Sequence, residues 1–152
     1  MSETLKRVLL AEDDPRDVEL TLAALSEHNL ANEVIVVRDG AEVLDFLRCK
    51  GAFAMRTPGL PVVLIMDLKM PKVDGIEVLA AIKGDERFKT LPIVMLTSSQ
   101  ETKDLEQCYR LGVNAYVVKP VNFQDFVKAV KEIGVFWALV NKPPPASTVS
   151  RD

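Results

Sequence analysis

Five short apolar runs punctuate the chain: Val8–Ala11, Glu33–Val37, Val62–Met66, Ile93–Thr97 and Ala115–Val118. The central one, in PVVLIMDLKMPKVDG (Pro61 to Gly75), is too short for a buried helix and lacks polar alternation. That pattern predicts a strand covered on both faces, as in a parallel sheet. The second run, EVIVV, is β-branched and strand-like. Between the runs, apolar residues recur at helical spacing. Asp14-Pro15 predicts a helix start, an Asx cap followed by proline, with Asp17 in the first turn and Val18, Leu22 and Leu25 inside, down to about Asn29. Asp39-Gly40 leads into a second helix carrying Val43, Leu44 and Leu47, and Gly75–Lys83 forms a third with Ile76, Leu79 and Ile82 (or Ala80) inward. A fourth places Leu105, Cys108 and Leu111 near one face and closes at Gly112. The last starts near Asn122 with a stripe of Phe126, Val130, Ile133, Trp137 and Val140. Gly51–Gly59 is predicted as a loop rich in small residues.

Strand and helix alternate five times, which demands a parallel sheet with right-handed crossovers and helices on both faces. An α/β, doubly wound, open five-stranded sheet is the expected architecture; periodicity does not fix its strand order. The 152 residues suit one domain, and the composition, 48% apolar and 27% charged, is that of a soluble globular protein. A formal charge of -3 argues against nucleic-acid binding. The opening MSETLKR precedes too few apolar residues for a signal sequence or a membrane span. Two cysteines without zinc or redox spacing fit a reduced, cytoplasmic setting.

The chemistry gathers at strand ends. Glu12-Asp13 follow the first run, Asp67 the third, Thr97 closes the fourth and Lys119 follows the fifth. In a parallel sheet these converge on one crevice. Carboxylates so close repel one another unless a cation is present, and an all-oxygen donor set favours Mg²⁺. A lysine and a threonine opposite would complete a pocket for a dianionic phosphoryl group, with Asp67 as the oxygen nucleophile. Asp14 and Asp17 are read as acids that complement a helix dipole.

Taken together, EDD after the first strand, DLKMPKVDG after the third, TSS after the fourth and YVVKP at the fifth resemble the receiver domain of two-component response regulators. The resemblance covers Leu5 to Val140, so residues 5–140 are expected to form the receiver domain and 141–152 a flexible, proline-containing tail. It implies a flavodoxin-like sheet of order 2-1-3-4-5, with Asp67 as phosphoacceptor. It also implies Mg²⁺ held by Asp13, Asp67, the Lys69 backbone carbonyl and, through water, Glu12. Lys119 would bridge to the acceptor and then to the phosphoryl oxygens, aimed by a cis Lys119-Pro120 peptide. Thr97 and Tyr116 would be the switch pair, and the side chains of Lys69 and Ser99 would tune the lifetime of the phosphorylated state. The implied role is a phosphoacceptor signalling domain, not an enzyme beyond slow self-dephosphorylation, with a sensor histidine kinase as donor.

The long FLRCKGAFAMRTPGLP connection and the terminal FWALV are similar to single-domain regulators that partner bacterial phytochrome histidine kinases. Phe136 and Trp137 either cover the sheet edge of their own subunit or belong to a homodimer face through the last helix, and this likeness favours the dimer; with no output domain expected after Val140 the signal leaves through a protein contact. Two other readings compete. A Mg²⁺-dependent aspartyl-phosphate phosphatase would carry a second acid where this chain has Lys69. A flavodoxin-like ligand-binding module would carry a Gly/Ser/Thr phosphate loop where this chain has three carboxylates.

Overall fold

The computed structural model describes residues 5–27, 33–98, 102–119 and 123–132. Five strands, β1 (Leu5–Ala11), β2 (Glu33–Val37), β3 (Pro61–Asp67), β4 (Ile93–Thr97) and β5 (Ala115–Val118), form one parallel sheet of order β2-β1-β3-β4-β5. The connections are α1 (Pro15–Glu27), α2 (Gly40–Arg48), α3 (Gly75–Lys83) and α4 (Thr102–Arg110), and α5 (Phe123–Glu132) follows β5. Elements and strand order are those expected from the sequence. Asn29, Ile133, Phe136, Trp137, Val140 and the tail lie outside the described residues.

Alternation along each strand divides the core into two layers. Leu9, Leu64, Met66, Ile93 and Met95 face α2, α3 and α4. Val8, Leu10, Val63, Ile65, Val94 and Leu96 face the opposite way, toward Leu25 of α1 and Ala129 of α5. Every residue of β3 is buried, because it sits mid-sheet beneath helices on both sides.

Several helix faces differ from the expected ones. Phe46 and Val78, not named from the sequence, are fully buried, while Ile76 is half-buried and Ala80 exposed. On α4, Cys108 is buried and Leu111 half-buried, but Leu105 is exposed. Of the three positions on that face, only Cys108 is therefore fully in the core.

The Gly51–Gly59 segment is more ordered than its small residues suggested. A 3₁₀ turn over Gly51–Phe53 packs Phe53 edge-on against Phe46, with ring centroids 5.1 Å apart. Arg56 lies over the Phe46 ring at 3.9 Å and donates to the carbonyls of Phe46 (2.7 Å), Thr57 (2.7 Å) and Gly59 (3.3 Å). One guanidinium thus fastens the connection to the end of α2, at the sheet edge opposite the strand tips.

Candidate functional site

All five strands run the same way, so their carboxyl ends share one edge. Glu12 and Asp13 leave β1 there, Asp67 ends β3, Thr97 ends β4 and Lys119 follows β5. The register pairs Asp67 with Leu96 and Thr97 with Val118, which sets these backbones side by side. The side chain of Thr97, and all of Ser99 and Pro120, lie outside the described residues. The expected Thr97 contact, lifetime role of Ser99 and cis peptide lie there too.

The Lys119 ammonium donates to Glu12 Oε1 at 2.8 Å, Asp17 Oδ2 at 2.8 Å and Asp67 Oδ2 at 3.1 Å. Glu12 and Asp67 are buried, and Asp13 is exposed at the rim. One carboxylate oxygen from each of Glu12, Asp13 and Asp67 lies within 4.8 Å of the others, close enough to share a single cation. The donors are oxygens only, the set a hard divalent ion prefers.

Electrostatics agree with that fit. Burial pushes the Glu12 carboxyl up to about 7, and the nearby Asp67 charge adds to this against the opposing Lys119 hydrogen bond. Burial alone would depress the Lys119 ammonium, but the hydrogen bonds it donates to Asp17 and Glu12 and the charge of Asp67 together raise it. The lysine therefore stays charged, while Glu12, buried and beside Asp67, is only partly compensated by it. A divalent cation among Glu12, Asp13 and Asp67 meets that need.

The loop after β3 holds the acceptor in place. Leu68 N–H donates to the Leu96 carbonyl at 3.0 Å, and Gly75 N–H returns to the Leu68 carbonyl at 2.8 Å. A Cβ at Gly75 would stand 2.8 Å from the Asp67 carbonyl oxygen, so only glycine lets α3 begin this close to the acceptor. Lys69 N–H lies 3.4 Å from Asp67 Oδ1, and the Lys69 side chain is exposed. An Asp74–Glu77 capping box then starts α3. Gly40, at the start of α2, abuts the same loop: a Cβ there would meet the Val73 carbonyl oxygen at 2.0 Å. A cleft of about 470 Å³ opens beside the loop, lined by Lys69, Met70, Glu77 and Gln107 among others. Asp67 is not part of it, and the reactive edge is the polar rim above the strand tips.

The sequence placed Glu12, Asp13, Asp67 and Lys119 together, and the structure does the same. Tyr116 is half-buried in β5 against the α2–α3–α4 side of the core. Asp17 is the residue that sequence reasoning missed. Read as an acid serving the helix dipole, it does stand in the first turn of α1, and it is also a direct partner of Lys119.

Residues 8–131 match the family described as the response regulator receiver domain. The chain is 37% identical over 132 residues to response regulator Rcp1 of Synechocystis, covering 87% of this chain and 88% of that protein. Its structure is similar to that of the bacteriophytochrome response regulator RtBRR, with a TM-score of 0.83 and 56% identity over 95% of this chain and 87% of that one. It is also similar to the Mn²⁺-bound form of Rcp1, with a TM-score of 0.73 and 36% identity over 92% of this chain and 99% of that one.

Proposed function

Because the chain belongs to the response regulator receiver family, we propose that it accepts a phosphoryl group on Asp67 and signals by a change of conformation. The observation that carries this is the Lys119 ammonium 3.1 Å from Asp67 Oδ2, on the edge where Glu12 and Asp13 gather. An Asp67 oxygen attacks phosphorus, the new C–O–P acyl phosphate forms, and the bond from phosphorus to its donor breaks, its electron pair leaving with the donor. The donor is a phosphohistidine on a sensor kinase, and the likeness to RtBRR supports a bacteriophytochrome in that role.

Glu12, Asp13, Asp67 and the Lys69 backbone carbonyl are the groups that would hold Mg²⁺. When bound, the ion offsets the negative charge that builds up on the phosphoryl oxygens. Lys119, kept protonated by its acidic neighbours, supplies the second positive charge. The rigid β3 end and the loop pinned at Gly75 orient Asp67 for in-line attack.

A dianion on Asp67 favours any conformation that brings donors to it. In this reading Thr97 moves toward the phosphoryl group, Tyr116 fills the vacated space, and the surface of α4, β5 and α5 is reshaped, a population shift driven by local charge. The exposed Lys69, together with Ser99, tunes the lifetime of the adduct. A second copy of the chain docks through the last helix, and the exposed Tyr109 and Leu105 on neighbouring α4 supply apolar surface for such a contact. Residues 5–140 act as this single domain, in the cytoplasm, with no turnover beyond self-dephosphorylation. Among the described residues no helix is long and apolar enough to cross a membrane. The phosphatase reading is disfavoured by Lys69, which stands where a second acid would be needed.

The test is intact-mass spectrometry after incubation with acetyl phosphate and Mg²⁺. Wild type gains one labile phosphoryl group and Asp67→Asn gains none. Labelling of the variant, or none of the wild type, refutes the assignment.

A further inference from the structure

An ammonium group has three protons, and Lys119 donates to three carboxylates. Two of these, Glu12 and Asp67, belong to the cluster that can share a cation; the third, Asp17, does not. Its charge is therefore not offset by a metal. Asp17 is also held firmly. Pro15 opens α1, Asp14 Oδ1 accepts from the Arg16 N–H at 2.8 Å, and the Asp14 carbonyl accepts from the Val18 N–H at 3.0 Å. The fixed start of α1 places the Asp17 carboxylate in the first turn, within reach of the Lys119 ammonium.

A phosphoryl group on Asp67 brings new acceptor oxygens to a lysine with no proton to spare. The proton now on Asp67 can pass to one phosphoryl oxygen, but a second bond to the group forms only if Glu12 or Asp17 yields. Glu12 is buried and cannot exchange its lysine partner for water, whereas the Asp17 side chain is 29% exposed and can. Resting on the phosphoacceptor reading, we infer that Asp17 is a positioning residue that holds the Lys119 ammonium in an unphosphorylated arrangement. It thereby opposes phosphorylation of Asp67. It acts in two ways: it competes for the ammonium, and it adds a negative charge that the incoming dianion must face. Asp17 sets how strong a donor the site requires and how readily it is occupied.

The test uses the full chain at saturating Mg²⁺, titrated with beryllofluoride, a tetrahedral mimic of the phosphoryl group, and followed by ¹⁹F NMR. Asp17→Asn keeps an acceptor oxygen but removes the charge, and Asp17→Glu restores the charge. With one unit charge removed at close range in a partly solvated site, Asp17→Asn binds beryllofluoride about tenfold more tightly than wild type, and the gain shrinks in high salt. Asp17→Glu stays near wild type, and labelling by acetyl phosphate follows the same order. A purely structural role for Asp17 would leave no salt dependence and no rescue by glutamate. If Asp17→Asn binds beryllofluoride as wild type does, or less tightly, the inference is overturned. A wild type that takes up neither beryllofluoride nor phosphate overturns the phosphoacceptor reading and this inference with it.

Discussion

Replacing Lys119 with methionine tests how the strand-tip cluster is held together. The substitution keeps most of the side-chain volume but leaves Glu12, Asp17 and Asp67 without their shared donor. Stripping one partner from a buried ion pair costs about 3–5 kcal/mol when the remaining charge cannot escape. Here Glu12 can escape by taking up a proton, since its pKa is already about 7 and the Lys119 hydrogen bond is what holds it down. In the unfolded chain Glu12 titrates near 4.5. A carboxyl whose folded pKa is raised makes the folded state bind the extra proton. Its stabilising share is then present at low pH and lost as pH rises through the folded pKa. Wild type without metal should therefore lose about 1 kcal/mol between pH 6 and pH 8. In Lys119→Met the Glu12 pKa climbs further, so the loss over the same interval grows by about another 1 kcal/mol. Asp17, partly exposed, adds little. Urea denaturation followed by circular dichroism, in the presence of a chelator and at both pH values, measures this by linear extrapolation. A variant whose deficit is the same at pH 6 and pH 8, or larger at pH 6, would show that Lys119 does not restrain these acids.

Two further outcomes follow from packing. Gly40→Ala forces a methyl group into the Val73 carbonyl and against Val78 Cγ2, 2.7 Å away, and should cost about 3 kcal/mol in urea while weakening Mg²⁺ binding through the displaced β3–α3 loop; a change below about 0.5 kcal/mol would contradict the contact. Arg56→Ala should cost about 2 kcal/mol, and Arg56→Lys should recover less than half of it because an ammonium cannot reach three carbonyls while stacking on Phe46. Beryllofluoride affinity should be unchanged in both Arg56 variants, which the same titration checks.

What the sequence disclosed depended on how local the signal was. Strands such as Val62–Met66 are apolar throughout because the sheet is covered on both sides, and that leaves an unambiguous mark. Glu12, Asp13, Asp67 and Lys119 were legible because a parallel sheet turns three separate strand ends into one place. Asp17 was not, since an acid in a first helical turn has a sufficient local reason to be there, and its partner lies 102 residues away. Leu105 misled in the opposite direction: its spacing fits a buried stripe, but helical spacing does not say how wide a strip of α4 the body covers. Phe46 and Arg56 form a pair across ten residues that neither helix nor strand periodicity registers.

The bonds from Lys119 reach back 107 residues to Glu12 and 52 to Asp67. During synthesis, every fragment that ends before position 119 therefore carries Glu12, Asp17 and Asp67 without the lysine that bonds all three. A ribosome-bound chain holding β1 to β4 gains that ammonium only when the fifth strand docks. The three-way junction at Lys119 thus arrives with the last strand, and its formation certifies that the whole sheet has closed.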